Sequence, residues 1–132
     1  MKANELMIGD WVKFPTSDLC HKVYAVQGKS VKFDNKYWYK ADKLEPVPLT
    51  AEILDKNCAD NVRERKYVGR EWTWYNDDMD YIEVSTHAGG FDCRDGFFVS
   101  ANDGEYYLFV IRYVHELQHA LRLCGIEKEI VL

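Results

Sequence analysis

Two histidines four residues apart, His115 and His119, enclose Glu116 in the string HELQH near the end of a 132-residue chain. On a helix such a pair stacks on one face, where both imidazoles can reach one zinc ion. The adjacent glutamate can then serve as general base on metal-bound water. A catalytic zinc also needs a third protein ligand and an open position for water. Beyond His119 the available donors are Cys124, Glu127 and Glu129. Upstream, His87 or an aspartate would have to be brought in by the fold.

Helical spacing argues against this chemistry. At about 100° per residue, Val114, Leu117, Ala120, Leu121 and Cys124 gather on one side, while His115 and His119 fall opposite, beside Arg122. The expectation is a core-facing aliphatic stripe with both imidazoles turned to water. On that reading the chain has no catalytic residue, metal or cofactor. A small zinc-dependent hydrolase, with His115 and His119 as ligands and Glu116 as base, is the alternative.

The helix that carries HELQH, predicted over Val114 to Cys124 and stopped by Gly125, follows a strongly apolar strand, Tyr106 to Ile111. Before it the second part of the chain reads as a meander. Lys66 to Val68, Trp72 to Tyr75, Tyr81 to Thr86 and Phe97 to Ser100 are candidate strands. Turns are expected at Asn76 to Asp78, Gly89-Gly90, Asp95-Gly96 and Asn102 to Gly104. The first part has short strands at Trp11 to Phe14, Lys22 to Val26, Val31 to Phe33 and Tyr37 to Lys40, and it predicts a small SH3-like barrel. Leu44 to Thr50 (LEPVPLT) marks the boundary, with Thr50 as N-cap of a helix over Ala51 to Lys56 that buries Ile53 and Leu54. The predicted fold is α+β: an SH3-like β-module over 1–49, then an α-β(meander)-α module over 50–132 packed against it.

Three other clusters could bear chemistry. Asp77, Asp78 and Asp80 offer hard oxygen ligands but lack the glycine and terminal glutamate of a calcium loop, so a solvated turn is expected. His87, Asp92 and Cys93 hold the residue types of a nucleophile set but flank Gly89-Gly90 and read as loop residues. Tyr37, Trp38 and Tyr39, with Lys32, Lys36 and Lys40, are the strongest nucleic-acid signal, since aromatic faces stack bases while lysines hold phosphates. Alternation sends Trp38 to the face opposite Tyr37 and Tyr39, and one of those faces is expected to be core.

With 47% hydrophobic residues the chain can bury a core. No apolar run approaches the roughly 18 residues of a membrane span. The start MKANELMIG lacks a signal peptide's apolar stretch, so a cytoplasmic protein without membrane contact is expected. Cys20, Cys58, Cys93 and Cys124 are scattered without a CxxC pair and read as free, space-filling thiols. The net charge of −5 disfavours general affinity for nucleic acid, yet it is uneven. Residues 1–49 hold eight Lys against six acids, net +2, and the remainder nine Lys/Arg against sixteen acids, net −7.

The strings MKANELMIGDWV, LEPVPLTAEIL and YVHELQ, taken together in this order, resemble a family of short Bacteroides-type proteins, often encoded near prophage or mobile elements, with no established activity. The likeness rests on Asn4, Glu5, Leu6, Ile8 and Gly9, then Leu44 to Pro46 and Pro48 to Thr50, then Tyr113, His115, Leu117 and Gln118. It implies that HELQH is a local variant of a structural helix start, and that His115 and Gln118 serve the fold or a partner contact. The function expected is that of a non-enzymatic binding or adaptor module contacting another protein. A nucleic-acid-binding small barrel is the further alternative.

Overall fold

The structure, a computed structural model, describes the chain except residues 34–36, 58–59, 89 and 102–105 and the side chains of 106–109. The predicted hairpin turn at Asn102 to Gly104 lies outside the described residues. The chain forms two compact units, Met1–Pro48 with Tyr113–His115, and Leu49–Arg112 with Glu116–Leu132. The fold is α+β, with two α-helices and antiparallel sheets among the described residues. Among the described residues no helix is long and apolar enough to cross a membrane.

Among its described residues the first unit holds six short strands: β1 (Trp11–Lys13), β2 (Cys20–Lys22), β3 (Ala25–Gln27), β4 (Ser30–Lys32), β5 (Trp38–Lys40) and β6 (Glu45–Pro46). They make two three-stranded sheets, ordered β2-β1-β6 and β3-β4-β5, and neither is closed into a barrel. The single strand expected over Lys22 to Val26 is therefore two strands in two sheets. Val23 donates its N–H to Asp10 O and Tyr24 donates to Lys32 O, so the alternation runs unbroken through a change of partner. The turn before β1 is built from the first string of the resemblance. Asp10, buried, accepts the Met7 N–H at 2.8 Å, and Gly9, at φ +93°, donates to Val23 O. The core gathers Leu6, Val12, Val23, Val31, Phe33 and Leu44, with Phe14 and Tyr39 packed on it. Pro46 pairs with Val12 from the sheet edge, where a missing N–H costs no ladder bond.

The second unit opens with α1 (Ala51–Asn57), whose Ile53 N–H is capped by Thr50 Oγ1 at 3.3 Å. Leu54 is fully buried and Ile53 half-buried. Next come β7 (Asn61–Arg65), β8 (Gly69–Tyr75), β9 (Tyr81–Ser85), a small hairpin of β10 (His87–Ala88) with β11 (Phe91–Asp92), β12 (Phe97–Ala101) and β13 (Tyr106–Ile111). Five of these form one antiparallel sheet, β13-β12-β9-β8-β7. The strand expected over Lys66 to Val68 is instead the turn joining β7 to β8. Trp72, Trp74, Ile82, Val84 and Val99 share one buried face of the sheet by alternation. Two indoles tie α1 to it, Trp72 Nε1 donating to Asp55 Oδ1 at 3.0 Å and Trp74 Nε1 to Asn57 O at 3.1 Å. Buried Asn57 is fully used, since it also exchanges two hydrogen bonds with the Val131 backbone.

Helix α2 (Val114–Leu123) ends as its sequence predicts. Gly125 takes φ +69°, donates to Arg122 O, and lets Ile126 donate back to Leu121 O. This is the double bond pattern of a glycine-terminated helix.

Candidate functional site

The predicted zinc residues occupy the first turns of α2. Val114, Leu117, Ala120 and Leu121 are buried as the aliphatic stripe requires. The expectation that both imidazoles face water is overturned for His115, which is only 7% exposed and lies parallel to the Tyr113 ring with centroids 5.9 Å apart. His119 is half-buried and Gln118 buried. A helical wheel marks the most apolar side but not how far burial wraps around it, and here it extends across the side carrying His115. Glu116 Oε1 accepts the Arg112 N–H at 2.9 Å, the reach-back bond of a helix start. Among the described residues no group of three or more His, Cys, Asp or Glu stands close enough to share a metal ion.

The acidic turn is organised by its asparagine, whose Oδ1 accepts the N–H groups of Asp78 and Asp80. Asp77, Asp78 and Asp80 are exposed on it.

His87, Asp92 and Cys93, expected to be loop residues, belong to the paired strands β10 and β11 or directly follow them. His87 pairs with Asp92 across β10 and β11, its Nε2 lies 3.8 Å from Asp92 Oδ1, and its Nδ1 lies 2.8 Å from Thr86 Oγ1. The geometry resembles a hydroxyl, imidazole and carboxylate in series. The Thr86 hydroxyl is nonetheless occupied, because it accepts the Arg70 N–H at 3.2 Å and sits against Gly69. A Cβ on Gly69 would overlap both Thr86 Oγ1 and His87 Nδ1. Burial pushes the Cys93 thiol up, away from the thiolate form a nucleophile needs, and does the same to Cys20 and Cys124. Those three thiols are free and half-buried; Cys58 lies outside the described residues.

What this arrangement does is join two tips. The β7–β8 turn accepts two hydrogen bonds from the β10–β11 hairpin: the His87 N–H donates to Val68 O and the Gly90 N–H to Tyr67 O, both at 2.9 Å. Tyr67 stands on the joined tips at φ +72°, 62% exposed, and Phe91 is 79% exposed. Lys66 Nζ lies 5.1 Å from the Tyr67 ring centroid. A tyrosine in the left-handed region costs roughly 1–2 kcal/mol, although most of this ring stays in solvent. Sequence reading missed it because no glycine or asparagine marks position 67.

Behind these tips the sheet's second face carries a buried carboxylate. Glu71, with 0% exposure, is clamped between Arg63 Nε at 2.9 Å and Arg65 Nη2 at 3.2 Å, and Glu83 lies 4.0 Å from Arg63. The hydrogen bond to Glu71 raises the Arg63 pKa. Arg63 Nε donates to Glu71 Oε1, while Glu71 Oε2 stands in ion-pair range of Arg65 without a hydrogen bond, so these charges tie the edge strand β7 to β8. β7 was missed in the sequence because its run NVRER is nearly all exposed; alternate arginines facing a glutamate on β8 are the signal that marks it.

In the first unit the aromatic run divides as alternation requires. Tyr39 packs on the core, against Phe14 and Phe33 at 5.2 Å. Trp38 points the other way, 45% exposed, with Lys32 Nζ 5.6 Å from its ring. Tyr37 is exposed, and Lys36 lies outside the described residues. Comparison with known protein families, with curated proteins and with solved structures finds no match.

Proposed function

We propose that this protein is a cytoplasmic, non-enzymatic binding module that grips a partner protein with the joined tips of the β7–β8 turn and the β10–β11 hairpin. One observation carries the reading: two large aromatic side chains, Tyr67 and Phe91, are held exposed on a backbone frame that tolerates an unfavourable φ at Tyr67. Exposed aromatics on a rigid support are what protein interfaces use as anchors, and local strain concentrates where function holds it in place. The resemblance to the Bacteroides-type family brings no activity with it and accords with a binding role. The run of short, turn-separated strands in the first unit supports an SH3-like kinship, a further reason to think of binding rather than chemistry.

The test compares the full chain with a Tyr67→Ser, Phe91→Ser variant as bait in extract from cells that carry the protein. A polypeptide retained in stoichiometric amount by the native chain and lost with the variant is the expected result. Retention that the double substitution leaves unchanged would refute it. Metal analysis separates this reading from the hydrolase: stoichiometric zinc, with an activity lost in Glu116→Gln, would replace the proposal.

A further inference from the structure

The outward face of the β3-β4-β5 sheet is a second surface, independent of the tips that carry the proposed protein contact. The register sets Lys32 opposite Trp38 and Ser30 opposite Lys40, while Val31 opposite Tyr39 faces the core. Adjacent same-face rows of this sheet are two residues apart, about 7 Å. The indole and Lys32 thus stand one step from Ser30 and Lys40. There the face runs into a cleft of about 750 Å³, lined by Lys2, Asn4, Lys29, Ser30, Lys40 and Asp42, among others. Lys2, Lys29, Lys32 and Lys40 therefore face a single carboxylate, Asp42, among the described residues of the cleft and the indole row. Gly28, at φ +57°, turns the chain between β3 and β4, and a Cβ there would meet nothing within 4 Å. The backbone at that corner is open to close approach.

We infer that this face binds single-stranded nucleic acid, with a base stacked on Trp38 and the adjoining phosphates held by Lys32, Lys40 and the lysines of the cleft. A half-exposed indole beside a line of cations is the combination such strands use, stacking for the bases and charge for the backbone. A duplex keeps its bases stacked on each other and offers nothing to the indole. The chain's net charge of −5 does not oppose this, because the acidic excess belongs to residues 50–132 and the first 49 are net positive. An acidic peptide would use the lysines but leave the indole idle.

The test is fluorescence anisotropy of a labelled short oligothymidylate with the full chain at low ionic strength. Binding is expected to weaken steadily as salt is added. Trp38→Ala should lose about tenfold in affinity or more, the stacking contribution of one base, with Trp38→Phe keeping most of it. Lys40→Glu should weaken binding and flatten the salt dependence, whereas Tyr67→Ser with Phe91→Ser should leave it unchanged. Circular dichroism confirms that each variant is folded, and if Trp38→Ala is not, Trp38→Phe and Lys40→Glu decide. Absence of binding at low salt overturns the inference. So does binding indifferent to Trp38→Ala, equal competition by duplex of the same length, or displacement of the oligonucleotide by anionic vesicles of phosphatidylserine and phosphatidylcholine.

Discussion

Trp72 in the second unit and Trp38 in the first both sit on strands with a cation over the ring, Arg70 at 4.9 Å and Lys32 at 5.6 Å. Their surroundings differ in one respect that decides their roles. Trp72 is fully buried, its N–H is taken by Asp55, and Asp55 also holds the Arg70 guanidinium. The Trp72 N–H and the Arg70 guanidinium both reach Asp55 Oδ1, so the cation over the ring completes the packing between α1 and β8. Trp38 keeps nearly half its surface in water although its neighbour Tyr39 is packed. The same pair of residue types is thus a closed structural unit in one place and an open surface in the other. Tyr67 and Phe91 extend the open class.

Trp72→Ala should cost about 3–5 kcal/mol, the range for a buried aromatic emptied to alanine, read by denaturant unfolding. Next in size is Gly69→Ala, which meets both a left-handed φ of +68° and the space filled by Thr86 and His87. It should lose about 2 kcal/mol or more, with faster hydrogen exchange at His87 and Gly90. Thr50→Ala removes the cap of α1 and should cost about 1 kcal/mol. Trp38→Ala should stay within about 1 kcal/mol of the native chain, the exposed cation–π contact being its main loss. A cost comparable to that of Trp72→Ala would move Trp38 into the closed class.

The Asp55 carboxyl sharpens the contrast through pH. The hydrogen bond from Trp72, followed by the bond and charge of Arg70, holds its pKa below the usual carboxylate value. A folded-state pKa below the unfolded one contributes stability that is complete above the unfolded value of about 3.9 and is lost as pH falls through the depressed value. Asp55→Asn should therefore flatten the dependence of stability on pH below about 4, measured by unfolding at a series of acid pH values, with no change in slope near neutrality.

Much of this architecture is legible in the chain. Thr50 before AEIL, Gly125 after the α2 stripe, and the alternation in β8 and β9 each follow from one local physical cause. The losses have causes too. Alternation in KVYAV reports which side chains are buried but not which strand they pair with, so one apparent strand hid a change of sheet. β7 shows no apolar period because its partners are Glu71 and Glu83, reached by arginines. Tyr67 adopts a backbone conformation that its side chain disfavours, and composition gives no warning of such a choice. His115 was placed in water by a wheel that ranks faces without measuring depth.

The most direct measurement is the thermal unfolding midpoint of Tyr67→Asn compared with the native chain. Asparagine accepts the left-handed conformation more readily than tyrosine, and the exposed ring contributes little packing, so the midpoint should be unchanged or raised. A fall as large as that expected for Gly69→Ala would show that the fold itself needs the tyrosine, and would contradict the claim that it is held there for a partner.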